Sequence, residues 1–202
     1  MGLDMSYQAI PAKCDLIERA RNDPVLGELL CLVPLWLRKG QGPRIGTWPE
    51  GELLWQHLCE LAKQYPGIEQ WNFDLDRSWD ELHYLLSATR RGEKAGEEDT
   101  LLDKAVRGIG KIADHVRAPQ GVHVTYVTPG EVELVGVVLE SMTTESLRVH
   151  YSPKKMEQHT VYKFWADRAG EFEFSAARYF EGFRAFYFDA ARRGDGVIVC
   201  LD

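Results

Sequence analysis

The chain lacks several features that would assign it to a function class. Its four cysteines are scattered and form no Cys-x-x-Cys pair, which argues against a zinc site and favours free thiols: Cys14, Cys31, Cys59 and Cys200. Serine nucleophile elbows, metalloprotease helices and dinucleotide fingerprints are also missing. We therefore expect neither a metal nor a cofactor.

Long apolar runs are absent too. The segment 25–37 is interrupted by Glu28 and Pro34, and it is far shorter than the roughly 20 residues that a membrane-spanning helix needs. No basic region followed by an apolar run, as in a secretory signal, stands at the amino terminus. We expect a cytoplasmic protein with reduced cysteines and no membrane partner.

The chain also has too few basic residues for a phosphate-binding role. It carries 24 Lys and Arg residues against 31 Asp and Glu residues, a formal net charge of -7. An acidic surface repels the phosphate backbone, so nucleic acid is not expected as a partner. Another protein remains a possible partner, and the oligomeric state stays open.

What the sequence does contain is typical of one folded α/β domain. Its 202 residues with 45% apolar side chains are enough to bury roughly 70% of the unfolded surface. Residues 5–10, 122–127 and 197–201 read as strands, and the last run is apolar without alternation, which favours a central strand covered on both faces. We predict a single three-layer domain with a mixed β-sheet and helices on both faces.

Local signals place several helix ends. Thr128 and Glu131 form a predicted capping box, Asp23 before Pro24 is a predicted N-cap, and Gly194 is a predicted left-handed stop. The helix that Gly194 closes is rich in aromatic residues, and its predicted inner side leaves Tyr187 or Phe188 to pack under a neighbouring loop or to stay partly exposed.

The most informative stretch is residues 73–86. Asp74 and Asp76 are two apart, so on a strand both carboxylates point to the same face. Ser78 and Glu81 suggest a capping box that starts a helix, although Asp76 or Asp74 could serve as the cap instead, and Trp79 and His83 lie on the apolar stripe of this helix. We expect Asp74, Asp76, Trp79 and His83 to cluster at a strand-to-helix junction.

Two interpretations of this cluster are open. Carboxylates near a helix start are stabilised by the helix dipole, and a histidine on an apolar stripe is usually a core residue, so the cluster is explained by structure alone. Alternatively, Asp74, Asp76 and His83 line a ligand or catalytic pocket, where a carboxylate pair could bind a divalent cation or act as acid and base.

The segment with Asp74, Asp76, Arg77, Trp79 and His83 resembles the YfbM-like family of bacterial proteins, whose members carry Asp-x-Asp-Lys/Arg-x-Trp-x-x-x-His here. The similarity extends over residues 1–202 and implies a single mixed α/β, three-layer domain with no established activity. Residues 39–51 and 89–100 look longer than the family's usual connections. We therefore expect loops there, and any pocket that they border to differ.

Two functions follow as hypotheses. The acidic composition, the missing catalytic motifs and the unmatched loops favour a non-enzymatic binding protein, for example an immunity-type protein that neutralises its partner. The alternative is an enzyme with an acid/base or metal-assisted pocket that uses Asp74, Asp76 and His83.

Overall fold

The core of the fold is a four-stranded sheet with helices on both faces. The computed structural model describes residues 4–87, 97–108, 112, 123–162 and 164–201. The strands are Met5–Pro11 (β1), Asn72–Asp76 (β2), His123–Val127 (β3) and Asp195–Leu201 (β4), and they lie in the order β2-β1-β4-β3. The α-helices are Leu16–Asn22 (α1), Pro24–Leu29 (α2), Val33–Lys39 (α3), Pro49–Gln64 (α4), Trp79–Ser87 (α5), Glu97–Arg107 (α6), Pro129–Glu140 (α7), Thr144–Arg148 (α8), Pro153–Gln158 (α9) and Phe180–Arg193 (α10).

Strand β4 lies in the middle of the sheet, as its unbroken apolar sequence predicts. Val197, Val199 and Leu201 pack with helices α5 to α10 on one face, while Ile198 and Cys200 pack with helices α1 to α4 on the other. Every residue of β4 is buried. Because side chains alternate along an extended chain, β4 contributes to two hydrophobic cores, one on each face of the sheet.

The α/β, three-layer prediction is confirmed, but the strand directions need a correction. All three strand pairings within the described residues are antiparallel, so the sheet is not mixed in direction. A parallel pairing requires a connection that crosses from one end of the sheet to the other. Here the helical connections return the chain to the end of the sheet that it left, so each paired strand runs in the opposite direction to its neighbour.

Several predicted helix ends are confirmed. The Thr128 backbone N–H donates to the Glu131 carboxylate at 2.8 Å, and the Glu131 N–H donates to the Thr128 hydroxyl at 3.4 Å. Asp23 accepts from the Val25 N–H at 3.0 Å, and Gly194 has φ 71° as the left-handed stop. Glycine suits that position because it lacks the side chain that disfavours positive φ.

The two expected loops fit only in part. Helix α3 continues to Lys39 and α4 begins at Pro49, so the first connection is residues 40–48. Residues 97–100, predicted as loop, belong to helix α6, and residues 88–96 lie outside the described residues. Among the described helices, none combines the length and the hydropathy needed to cross a bilayer.

Candidate functional site

Helix α5 brings Trp79 and His83 into the helical layer, whereas Asp74 and Asp76 belong to strand β2. Phe73 and Leu75 point into the core shared with α5 to α10, so Asp74 points to the opposite face of β2. There its carboxylate forms an ion pair with Arg38 of α3. Asp76 is exposed and has φ 46°, a left-handed conformation that aspartate tolerates better than most residues. Asp74 therefore lies on the side of the sheet opposite His83.

The predicted capping box at the start of α5 does not form. The Ser78 N–H, which would bond Glu81 in a capping box, donates to the Leu75 carbonyl at 3.0 Å. The Glu81 carboxylate instead lies beside the Ala176 backbone N–H, which lowers its pKa, on a segment that packs against α5.

Trp79 and His83 are buried, as the apolar stripe predicts. Trp79 is 8% exposed and stacks on Tyr162, with ring centroids 5.6 Å apart. The His83 Nε2 atom lies 2.6 Å from the Asp103 Oδ1 atom of helix α6. The carboxylate that faces His83 is therefore Asp103, which the sequence analysis did not single out, and not Asp74 or Asp76.

Asp103 belongs to a polar interface between α5 and α6. Its Oδ1 atom is 3.6 Å from the Arg107 guanidinium, whose Nε atom is 3.8 Å from Asp80 Oδ1. The second Asp80 oxygen accepts from the Tyr162 backbone N–H at 2.9 Å. These ion pairs and the hydrogen bond from Tyr162 connect α5, α6 and the segment that contains Tyr162. We call this set Asp80, His83, Asp103 and Arg107 the α5–α6 polar interface.

Glu81, which follows Asp80 on α5, faces a cleft of about 240 Å³. Four aromatic side chains line the cleft with it: Tyr151, Phe164, Trp165 and Phe174. Trp165 is 50% exposed and Phe174 is 72% exposed, so both rings are open to a molecule that enters from solvent. We call this the Glu81 cleft.

The electrostatics of the Glu81 cleft are set by burial. Burial raises the pKa of the Glu81 carboxyl above its usual value, against the opposing effects of the Ala176 N–H and the Arg178 guanidinium. Burial likewise raises the pKa of the Tyr151 hydroxyl, whose proton is donated to the Gly170 carbonyl at 2.6 Å. One backbone N–H uses only part of the acceptor capacity of a carboxylate, so Glu81 can still accept from a ligand.

Local sequence indicates only a capping role for Glu81 and does not predict this cleft. A signal for it was present in residues 162–174, where aromatic residues recur without helical or strand periodicity. Aromatic residues that fit no core-facing pattern are candidates for a ligand surface. Within the described ranges no three His, Cys, Asp or Glu side chains come together as a metal site would require.

The comparisons with known proteins concern the whole chain and not this cleft. No curated protein matches the sequence. Among solved structures, the chain is similar to YfbM from Escherichia coli, described as a protein of unknown function, with a TM-score of 0.56 and 16% identity over 98% of this chain and 99% of that chain. This similarity supports the fold alone. A family model, Domain of unknown function (DUF1877), matches residues 37–200. The chain therefore belongs to the DUF1877 family, which confirms the resemblance carried by the Asp74 to His83 segment.

Proposed function

We propose that this protein is a non-enzymatic binding protein that takes a basic side chain of a partner protein into the Glu81 cleft. The observation that carries the proposal is a partly buried carboxylate beside four aromatic rings. Aromatic faces attract cations, and the attraction grows when the cation is desolvated. A carboxylate in the same cleft adds a charge-assisted hydrogen bond to an ammonium or guanidinium group.

The size of the cleft favours a side chain over a free small molecule. Pockets that enclose drug-sized ligands measure about 300 to 1,000 Å³, whereas the Glu81 cleft measures about 240 Å³. The exposed rings of Trp165 and Phe174 would pack against the partner around the inserted side chain, because aromatic residues are enriched at interface cores. The net charge of -7 would favour encounter with a basic partner.

Binding of this kind suits an immunity-type protein that neutralises its partner by covering it. We place the complex in the cytoplasm, where the thiols of Cys14, Cys31, Cys59 and Cys200, none of which is in a disulfide, would stay reduced. The enzyme alternative needs Asp74, Asp76 and His83 in one pocket, an arrangement that the ion pair of Asp74 with Arg38 on the other face of the sheet does not provide.

The proposal can be tested with blocked amino acids as probes. N-acetyl-arginine methylamide and N-acetyl-lysine methylamide should shift the NMR signal of the Trp165 indole in a saturable way, and the uncharged norleucine analogue should not. Glu81→Gln should weaken binding of the two cations about tenfold, the effect of losing a charged hydrogen bond. Glu18→Gln, the same chemical change at an exposed residue of α1, is the matched control.

The partner itself can then be sought with the same variants. A host protein that is retained by the wild type and by Glu18→Gln, but not by Glu81→Gln, would support the proposal. Equal binding of the norleucine analogue, or equal capture by Glu81→Gln, would contradict it. Chemical conversion of a probe in the NMR tube would favour the enzyme interpretation instead.

A further inference from the structure

Another cavity, of about 190 Å³, lies between helices α2 and α4. Its apolar lining comes from both helices. Leu26, Leu29 and Leu54 are buried and form its inner part, whereas Val25 and Leu53 are 46% and 65% exposed and form its outer part. The cavity can therefore remove the aliphatic part of a ligand from water, which favours binding.

One end of this cavity carries a cation. The Arg19 guanidinium donates to the Nδ1 atom of His57 at 3.0 Å, and both residues line the cavity. Asp15 lies at the other ring nitrogen, 3.4 Å from Nε2. Within the described residues, no carboxylate lies within ion-pair distance of Arg19. Because a guanidinium has five N–H donors, Arg19 can still donate to a carboxylate of a ligand.

The other end of the cavity carries an anion. Glu50 and His57 are seven positions apart on α4, so they share one face of the helix and lie about 10 Å apart along its axis. Leu53 and Leu54 lie between them. In the part of the chain that the structure describes, Glu50 forms no ion pair, with Arg19 or with any other cation. The two charges are thus separated by an apolar surface.

Asp23 also lines the cavity, but its carboxylate caps a helix. Its Oδ1 atom accepts from the N–H groups of Val25 and Leu26 at 3.0 and 3.3 Å. Its own N–H donates to the Arg19 carbonyl, which places Asp23 one turn beyond Arg19. The N–H groups at the start of α2 offset the negative charge of Asp23. Glu50 therefore remains the carboxylate that is available to a ligand.

We infer that this space, which we call the α2–α4 cavity, binds an aliphatic zwitterion with a carboxylate at one end and an ammonium group at the other. Arg19 donates to the carboxylate, Glu50 accepts from the ammonium group, and the methylene chain packs against Leu26 and Leu54. An extended chain with about six bonds between its charged groups spans roughly 7 to 8 Å, so its ends can reach both side chains. The cavity is smaller than the about 300 to 1,000 Å³ of pockets for drug-sized ligands, which suits so small a molecule.

The probe for this inference is 6-aminohexanoate, which has both charges and this length. It should shift the NMR signals of the Leu26 and Leu54 methyl groups in a saturable way. Hexanoate and hexylamine should bind about fivefold more weakly, because each lacks one of two exposed ion pairs. Glycine, whose charges are adjacent, should cause no saturable shift.

The two groups of the zwitterion can be assigned to their partners with crossed variants. Arg19→Gln should weaken the binding of 6-aminohexanoate and hexanoate about fivefold and leave that of hexylamine unchanged. Glu50→Gln should weaken the binding of 6-aminohexanoate and hexylamine equally and should not weaken that of hexanoate. Arg21→Gln and Glu18→Gln make the same chemical changes at exposed residues of α1 outside the cavity, and should bind every probe like the wild type.

N-acetyl-lysine distinguishes two sources of such a ligand, since it models the last residue of a protein chain and has the same charge separation. Binding equal to that of 6-aminohexanoate would support a chain that ends in lysine, and binding of 6-aminohexanoate alone would support a free zwitterion. Absence of saturable shifts with both compounds would overturn the inference. Equal binding of 6-aminohexanoate, hexanoate and hexylamine would also overturn it, as would variants at Arg19 and Glu50 that affect all three compounds alike.

Discussion

Helix α5 carries two adjacent carboxylates whose surroundings differ. Asp80 lies in the α5–α6 polar interface, where the Tyr162 N–H and the Arg107 guanidinium approach its two oxygens. Glu81 lies in an aromatic cleft, where burial raises its pKa. A carboxylate with fixed hydrogen-bond partners stabilises the fold. A carboxylate whose charged form is destabilised by burial is instead a candidate for ligand binding. The comparison predicts opposite consequences for substitutions one residue apart.

Substitution of Trp79, the residue before Asp80 and Glu81, should give the largest loss of stability. Trp79 supports the α5–α6 polar interface, because its ring is buried and stacks on Tyr162, the residue whose backbone N–H donates to Asp80. Trp79→Ala should lower the free energy of unfolding by about 3 to 5 kcal/mol, as other large core truncations do. Urea unfolding followed by circular dichroism measures the loss. A loss under about 1 kcal/mol would contradict the core role of Trp79.

Asp80→Ala should give the second-largest effect on stability. The substitution leaves the Tyr162 N–H without its acceptor and removes one carboxylate from Arg107, so we expect a loss of about 1 to 3 kcal/mol. Asp80→Asn is the control, since its amide oxygen can still accept from Tyr162 and should recover part of the loss. The binding of the arginine and lysine probes in the Glu81 cleft should be unchanged in Asp80→Ala and Asp80→Asn, provided that each variant folds. A loss of probe binding as large as that of Glu81→Gln would contradict the proposed difference between Asp80 and Glu81.

Glu81→Gln should behave in the opposite way. The pKa of Glu81 in the folded protein is raised above the ordinary value of 4.5. Protonated Glu81 therefore adds stability that is fully present below pH 4.5, and this stability is lost as the pH rises through the pKa of the folded state. Glutamine resembles the protonated form at every pH. Glu81→Gln should therefore match the wild type in acid and equal or exceed its stability at pH 7. Urea unfolding from pH 4 to pH 8 measures the difference, and a variant less stable at pH 7 would contradict the assignment.

Features that depend on residues close together in the chain could be predicted from the sequence. The alternation along residues 73–75 correctly separated Asp74 from Phe73, the unbroken apolar run correctly placed β4 inside the sheet, and the Thr128 and Glu131 spacing correctly predicted a helix start. Each rests on backbone periodicity or on contacts within one turn, which local sequence determines.

Features that depend on distant residues were missed. His83 meets Asp103 of the next helix, and Glu81 meets Ala176 almost a hundred positions later, so neither contact leaves a trace in local spacing. The predicted Ser78 and Glu81 capping box failed for a local reason, since the Ser78 N–H donates to the Leu75 carbonyl. Strand direction likewise depends on where each helical connection returns to the sheet, which the residues of a strand do not encode.

The smallest effect is expected at Asp74, where the sequence placed a possible pocket. Asp74 and Arg38 form an ion pair with side chains 36% and 41% exposed, and such pairs contribute about 0 to 1 kcal/mol because water screens them. Asp74→Asn should change the free energy of unfolding by less than about 0.5 kcal/mol. It should also leave the binding of arginine and lysine probes unchanged, since Asp74 and the Glu81 cleft lie on opposite sides of the sheet. Loss of binding in a fully folded Asp74→Asn protein would contradict the proposed cleft and return Asp74, Asp76 and His83 to consideration as a functional site.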